Sequence, residues 1–298
     1  MRRIFYFNIT YGCNSNCIFC YSHNTWHNSM PHKEISLEAF IDYLEENHIS
    51  AEDRVILNGG EPLLHTMIIK FLEYLKMYRC ETLIYTNGRL LSEIDLSKLD
   101  FNFRFIVPIH GYSQLHDSIT GVKGSYLETI TGMHRFKEKI GCHLDLKVIL
   151  NNGMIKNDDT LNRTLESLND IYFNNAVHLT KMADTIISSN HNCSSISNDT
   201  ADYYMKILFK YFVDRGCRIK LFDTCIKSFS WLKKYDLMKM QDNVAVYFKD
   251  RDQERKILLN KPKLNCMDIC KNKKYCISAV SEYKVLEFND NKLYENLE

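Results

Sequence analysis

"IFYFNITYGCNSNCIFC", residues 4–20, runs an apolar segment directly into three cysteines, Cys13, Cys17 and Cys20, spaced C-x3-C-x2-C. Ile4–Ile9 is rich in β-branched and aromatic residues and reads as a strand, so the thiols fall on the loop that leaves it. Similar runs recur at Arg54–Asn58, Thr82–Thr86, Phe103–Ile109, His143–Leu150 and Ala176–Leu179. Amphipathic segments separate them. Ser36 opens a helix whose Leu37, Phe40, Ile41 and Leu44 share a face, and Met67–Lys76, Ser92–Leu99 and Thr200–Arg215 are further helices. Ser125 and Glu128 have the spacing of a capping box before a helix over Tyr126–Lys139, with Gly121 and Gly124 in the turn that feeds it.

This alternation is the pattern of a parallel sheet with crossover helices. Six repeats are too few for a closed eight-stranded barrel. The fold expected is α/β, a partial (β/α)6 TIM-like barrel over residues 1–215 with its site at the C-terminal strand ends. After Cys217–Leu221 the pattern changes to mixed aromatic and charged residues, with short strands at Val244–Phe248 and Ile257–Leu259. Residues 216–298 are therefore expected to form a small Cys-rich C-terminal α+β domain.

A chain of 298 residues with 45% hydrophobic and 25% charged content and a formal charge of +1 has the balance of an ordinary globular protein. It lacks the single-sign field that nucleic-acid or anionic-membrane binding needs, and no apolar stretch approaches the ~20 residues of a membrane span. A cytoplasmic protein is expected, with neither nucleic acid nor membrane as partner. Eleven cysteines, an odd number and partly clustered, point to metal rather than to a disulfide framework.

Structural zinc takes four N or S ligands, often as two pairs, and no second pair follows Cys20 closely. Three thiolates on a 4Fe–4S cube leave one iron open to chemistry. The C-x3-C-x2-C loop after the first strand, with Phe19 before the third cysteine, resembles the radical S-adenosylmethionine (SAM) enzymes. The resemblance implies that Cys13, Cys17 and Cys20 ligate the cluster and that Phe19 packs on the adenine side. It further implies that SAM chelates the open iron and is cleaved to a 5′-deoxyadenosyl radical, which takes hydrogen from the substrate.

The other strand ends agree. "ILNGGEPLL" places Gly59, Gly60, Glu61 and Pro62 after the second strand, where glycines allow close backbone approach and Glu61 is an acceptor for an ammonium. "GGEP" resembles the family motif that holds the SAM methionyl amine. "YTNG" at 85–88 puts Thr86 and Asn87 at the third strand end, facing the site or forming a plain Asn-Gly turn. His110, His116 and Asp117 follow the fourth strand, where a role toward cofactor or substrate competes with a local hydrogen-bonded turn. Lys147 and Met182 are weaker candidates, and Met182 fits core filling.

Near the end stand Cys266, Cys270 and Cys276, with Cys225 upstream, a complement of four thiolates. The Val244–Leu259 hairpin could bring Cys225 to the others. Resemblance to the shortened auxiliary-cluster (twitch/SPASM-like) domain of radical SAM enzymes favours a second 4Fe–4S cluster over zinc, although an all-thiolate site suits both. Cys80, Cys142, Cys193 and Cys217 read as buried hydrophobes, with Cys142 or Cys193 a candidate hydrogen donor in an epimerisation.

"LHDSITGVKGSYLETITGMHRF", "VHLTKMADTI" and "CRIKLFDTCI" most resemble the radical SAM proteins of His-Xaa-Ser peptide maturation systems. A glycine-rich tail after the last cysteine and the full seven-cysteine domain of many relatives are missing. The resemblance implies a peptide-modifying oxidoreductase or maturase (cross-linking, epimerisation or oxidation) fed by a reductase or flavodoxin-type electron donor. Because the first strand starts close to Met1, a peptide substrate is expected to need a separate leader-peptide-binding partner or a surface on this domain. A small-metabolite substrate is the alternative, and an iron–sulfur electron carrier a third reading that "GGEP" argues against.

Overall fold

The computed structural model describes residues 3–20, 34–95, 103–136, 142–182, 196–222, 244–250, 253–259 and 286–288. In chain order these form β1 (Arg3–Thr10), α1 (Leu37–Glu46), β2 (Arg54–Gly59), α2 (Ile68–Tyr78), β3 (Glu81–Tyr85) and β4 (Phe103–Ile109). There follow α3 (Ser113–Thr120), α4 (Ser125–Phe136), β5 (His143–Leu150), α5 (Asp158–Leu168), β6 (Ala176–Lys181), α6 (Asn198–Val213) and β7 (Arg218–Phe222). The strands β8 (Val244–Asp250), β9 (Gln253–Leu259) and β10 (Leu286–Phe288) complete the described elements.

All ten strands share one sheet in the order β10-β7-β6-β5-β4-β3-β2-β1-β8-β9. Strands β1 to β7 pair in parallel with their sequence neighbours, so the repeat extends one strand beyond the six expected. β8 adds in parallel to β1, the antiparallel hairpin β8–β9 closes with Val244 opposite Leu259, and β10 lies antiparallel to β7. Every described strand beyond residue 216 is thus hydrogen-bonded into the sheet of the first 215 residues.

The two faces of this sheet differ. Toward the helices point Phe5, Phe7, Val55, Leu57, Phe105, Val107, Leu146, Val148 and their helical partners, in one continuous core. Phe40 of α1 packs edge-on to Phe7 at 4.8 Å and stacks on Phe71 of α2 at 4.3 Å, tying both helices to β1. The opposite face carries a small apolar group, Ile4, Tyr6, Ile56, Leu83 and Ile106, with Tyr85, Pro108 and Ile149 nearby, among polar and charged side chains such as Asn58, Asp145 and Lys147. A face that keeps polar side chains among parallel strands is a face that holds ligands.

Several sequence expectations shift. The buried face of α1 uses Tyr43 with Phe40 and Leu44, while Ile41 is half-buried. Residues 89–94 form successive turns rather than the start of a helix at Ser92, and residues 96–99 lie outside the described set. α3 and α5 were hidden by their polar composition: α5 buries Thr160 and Thr164 beside Leu161 and Leu168, so half of its inward stripe is threonine. Its start is secured by a reciprocal capping box between Asn157 and Thr160. No helix among the described residues is long and apolar enough to cross a membrane.

The expected capping box at Ser125 and Glu128 is replaced by a cap from further back. Asp117 on α3 accepts from the Gly124 and Tyr126 amides, at 2.6 and 2.8 Å, and from the Ser125 hydroxyl at 3.0 Å, while Glu128 turns away to Arg89. Burial works against the Asp117 charge, but these hydrogen bonds outweigh it and hold the carboxyl below its ordinary range. Asp117→Ala should therefore destabilise the fold by about 1–2 kcal/mol in urea unfolding at pH 7. A depressed carboxyl stabilises above its unfolded pKa and loses that contribution as the pH falls, so the deficit of the variant should shrink below about pH 4.

Candidate functional site

The cysteine loop leaves β1 and is held from three sides. On one side the Gly60 amide donates to Thr10 O at 2.8 Å and the Glu61 amide to Gly12 O at 2.7 Å. A Cβ on Gly60 would stand 2.1 Å from Gly12 O, and one on Gly59, whose φ is +135°, 2.2 Å from Thr10 O. The two glycines therefore clear space first for the cysteine loop, a different reason from the ligand approach expected of them. On the second side the Asn16 and Ile18 amides donate to the carbonyls of Thr120 and Ile119 at the end of α3, at 2.7 and 2.9 Å. From the third, Asn87 Nδ2 reaches Asn14 Oδ1 at 2.6 Å, and the Arg89 guanidinium donates to the Asn14 carbonyl while pairing with Glu128 at 2.6 Å.

These constraints place Cys13, Cys17, Cys20 and Phe19 on the wall of one cavity of about 230 Å³. Gly59, Gly60 and Glu61 after β2, Thr86 and Asn87 after β3, and His110 after β4 line the same cavity, together with Asn58, Tyr85 and Lys147. Of the residues considered for the site, Pro62 stands back, buried at the head of the one-turn 3-10 helix Pro62–Leu64, and His116, Asp117 and Met182 do not line the cavity either. Asn14, Ser15 and Arg89 were not foreseen. Arg89 holds the Asn14 carbonyl, and the Asn14 and Ser15 side chains accept from Asn87, relations that no residue-type pattern announces.

Glu61 is 1% exposed and already well used. Its Oε1 accepts from the Leu63 amide at 3.0 Å and from the Thr86 hydroxyl at 2.7 Å, and its Oε2 accepts from the Asn87 amide at 2.7 Å. Burial pushes the carboxyl up to about 6 against these donors. The carboxylate expected to receive an ammonium thus ties the β2 end to the β3 end, and by valence one lone pair of Oε2 is left for a ligand.

His110 is buried, meets Phe19 edge-to-face at 5.0 Å and stacks on His116 at 5.2 Å. Burial, with His116 and Lys147 beside it, holds His110 far below its usual range, and burial likewise lowers His116 to about 4, so both rings are neutral at pH 7. Among the described residues His110 Nδ1 has no hydrogen-bond partner, an orphaned buried atom on the cavity wall. His116 supports His110 from behind, and Asp117 is engaged in capping α4. Met182 is buried, as are Cys80 and Cys142, while Cys217 is half-buried. Cys193, Cys225, Cys266, Cys270 and Cys276 lie outside the described residues.

Comparison with known proteins agrees with this geometry: the Radical SAM superfamily family model matches residues 7–168, more than half of the chain. The chain belongs to the radical SAM superfamily. Among curated relatives it is 28% identical over 134 residues to the AdoMet-dependent heme synthase of Methanosarcina barkeri (strain Fusaro / DSM 804), a match covering 44% of this chain and 38% of that protein. Among solved structures it superposes on Streptococcus suis SuiB bound to precursor peptide SuiA with TM-score 0.57 and 14% identity, over 82% of this chain and 57% of that one. It also superposes on native anSMEcpe with bound AdoMet and Cp18Cys peptide with TM-score 0.53 and 15% identity, over 72% and 60%. The chain thus spans less than two thirds of each, and the structural likeness is one of fold.

Membership in the radical SAM superfamily implies a 4Fe–4S cluster and SAM. The donor set fits that cluster, with three soft thiols brought to one wall by a single loop. No three His, Cys, Asp or Glu side chains among the described residues converge on a single-ion site. A cube does not require such convergence, because each thiolate takes its own iron. Without metal, burial pushes the Cys13 and Cys17 thiols up to about 12, so it is the charge of the irons that would deprotonate them.

Glu61→Gln tests the tie between strand ends. An amide NH2 in place of one carboxylate oxygen would face a protein donor, and the variant should unfold with a stability about 1–3 kcal/mol lower in urea titration of the metal-free protein. A stability equal to the wild type would show that the Glu61 hydrogen bonds do not hold the loops.

Proposed function

We propose that this protein is a radical SAM enzyme that takes a hydrogen atom from a ribosomally made peptide or protein, leading to a cross-link, an epimerisation or an oxidation. The observation that carries the reading is the shared cavity of Cys13, Cys17 and Cys20 with Glu61, Thr86 and Asn87 at the C-terminal strand ends. When bound, the cluster and SAM supply a 5′-deoxyadenosyl radical that takes hydrogen from an unactivated carbon. Cys13, Cys17 and Cys20 are the residues that would hold the 4Fe–4S cluster.

Gly59, Gly60, Glu61 and Pro62 form the turn that would receive the methionyl end of SAM, with the remaining lone pair of Glu61 toward its ammonium. Thr86 and Asn87 orient Glu61 and so fix the direction of that lone pair. Phe19 and His110 offer an aromatic edge and an orphaned ring nitrogen to the adenosyl part. The thiolates of Cys225, Cys266, Cys270 and Cys276 suit a second 4Fe–4S cluster in a twitch/SPASM-like C-terminal domain over residues 216–298, which would take the second electron of an oxidation.

Two fold neighbours support the peptide reading, since SuiB is bound to its precursor peptide SuiA and anSMEcpe to the Cp18Cys peptide. The subgroup it fits is that of His-Xaa-Ser peptide maturation. A small metabolite is the second reading, favoured by the sequence match to a heme synthase.

The test is formation of 5′-deoxyadenosine by the anaerobically reconstituted, reduced protein. The wild type should release it from SAM, and Cys13→Ala, with its cluster binding broken, should release none above background. Undiminished release by Cys13→Ala would remove the assignment of the loop.

A further inference from the structure

On the cavity-facing side of the sheet, β1 to β4 carry the apolar group Ile4, Tyr6, Ile56, Leu83 and Ile106 beside the charged residues Arg54, Glu81 and Arg104, and β5 to β7 carry Asp145, Lys147, His178 and Lys220 beside Ile149. Strand register sets Lys147, His178 and Lys220 side by side in one row.

Below that row a ladder of charged pairs crosses six strands. Arg54 bonds Glu81 at 2.7 Å, Glu81 meets Arg104 at 3.2 Å, and Asp145 lies 3.8 Å from both Arg104 and Lys220. Asp145 is fully buried and also accepts from His178 Nε2 at 2.6 Å, Asn175 Nδ2 at 2.5 Å and the Ala176 amide at 3.2 Å. Burial raises its carboxyl, but these donors prevail and lower it to about 2. Burial lowers His178 to about 4, so the ring is neutral.

Both carboxylates of the ladder are therefore engaged, and neither forms an ion pair with Lys147. Among the described residues the one contact of the Lys147 ammonium is the Tyr85 ring, 5.2 Å to its centroid, on the cavity wall. Such a contact is weak beside an ion pair and leaves the charge without an anion among the described residues. Once ligands fill the cavity and expel water, an ammonium there gains strongly from a carboxylate and loses without one. Lys147 on β5 stands three strand spacings, about 14 Å along the sheet, from Gly59 at the end of β2. It faces the part of the cavity away from the turn assigned to the methionyl end of SAM.

We propose that Lys147 anchors the substrate through an ion pair with a substrate carboxylate, which makes the substrate an acid: a peptide presenting an acidic side chain or C-terminus here, or a small carboxylic acid. A single ammonium balances the one charge of a carboxylate, whereas a phosphate dianion in the same water-poor cavity would keep a charge unpaired. The inference rests on the radical SAM reading of the cavity.

The experiment uses full-length, cluster-loaded protein as wild type, Lys147→Met and Lys147→Arg. SAM affinity is measured first by equilibrium dialysis. Wild type and Lys147→Met should bind SAM within about twofold of one another. A wild type that fails to bind SAM defeats the proposed function itself, whereas about tenfold weaker binding by Lys147→Met alone would assign Lys147 to the cofactor carboxylate and overturn this proposal.

Glutarate, its diamide and inorganic phosphate are then titrated calorimetrically into the SAM-bound forms. Glutarate should bind the wild type and Lys147→Arg at least about tenfold more tightly than Lys147→Met, and the diamide should lose a similar factor on the wild type. Equal binding of glutarate by Lys147→Met, equal binding of acid and diamide, absence of glutarate binding, or tighter binding of phosphate would each overturn it.

Discussion

The structure turns on the absence of two β-carbons. Gly59 and Gly60 let the end of β2 lie against the backbone of Thr10 and Gly12, and the two resulting hydrogen bonds set the path of the cysteine loop from its first residue. Arg89, Asn87 and the end of α3 then have a fixed backbone to grip. Three thiols within eight residues would sample many arrangements on a free loop. Here their placement is inherited from a parallel sheet, chiefly through contacts of the loop backbone and of Asn14, with one amide-to-thiol contact from Ser15 to Cys13.

Glu61 carries the same logic to the next strand. Its carboxylate collects donors from its own turn and from the β3 end, so the two loops most concerned with the cavity are tied to each other. The cost of burying that charge, visible in its raised pKa, is met by three protein hydrogen bonds. The pattern continues to β4, where Asp117 links α3 to α4 and so steadies the carbonyls that receive Asn16 and Ile18.

Much of the site was legible because its chemistry is written in short, rare residue types at strand ends: C-x3-C-x2-C, Gly-Gly-Glu-Pro, Thr-Asn-Gly. The strands were legible because their helix-facing residues are short apolar runs of β-branched, aromatic and leucine side chains. What escaped were relations between distant backbones. Nothing in "GGEP" says that its glycines accommodate Gly12 rather than a ligand, nor in "GSYLE" that Asp117 eight residues earlier would displace the box of Ser125 and Glu128. α5 escaped because Thr160 and Thr164 stand where an apolar stripe would have marked it. The ladder from Arg54 to Lys220 escaped because its members are single charges on five separate strands, brought together only by strand order and register.

If one loop holds the cluster, removing its thiols must remove the cluster. The most direct test is iron and sulfide content with low-temperature EPR on anaerobically reconstituted protein, comparing the wild type with a Cys13/Cys17/Cys20 triple alanine variant, with and without SAM. The variant should lose about four irons and the signal that SAM perturbs. Unchanged iron in the variant, or a wild-type signal indifferent to SAM, would contradict a cluster held by this loop.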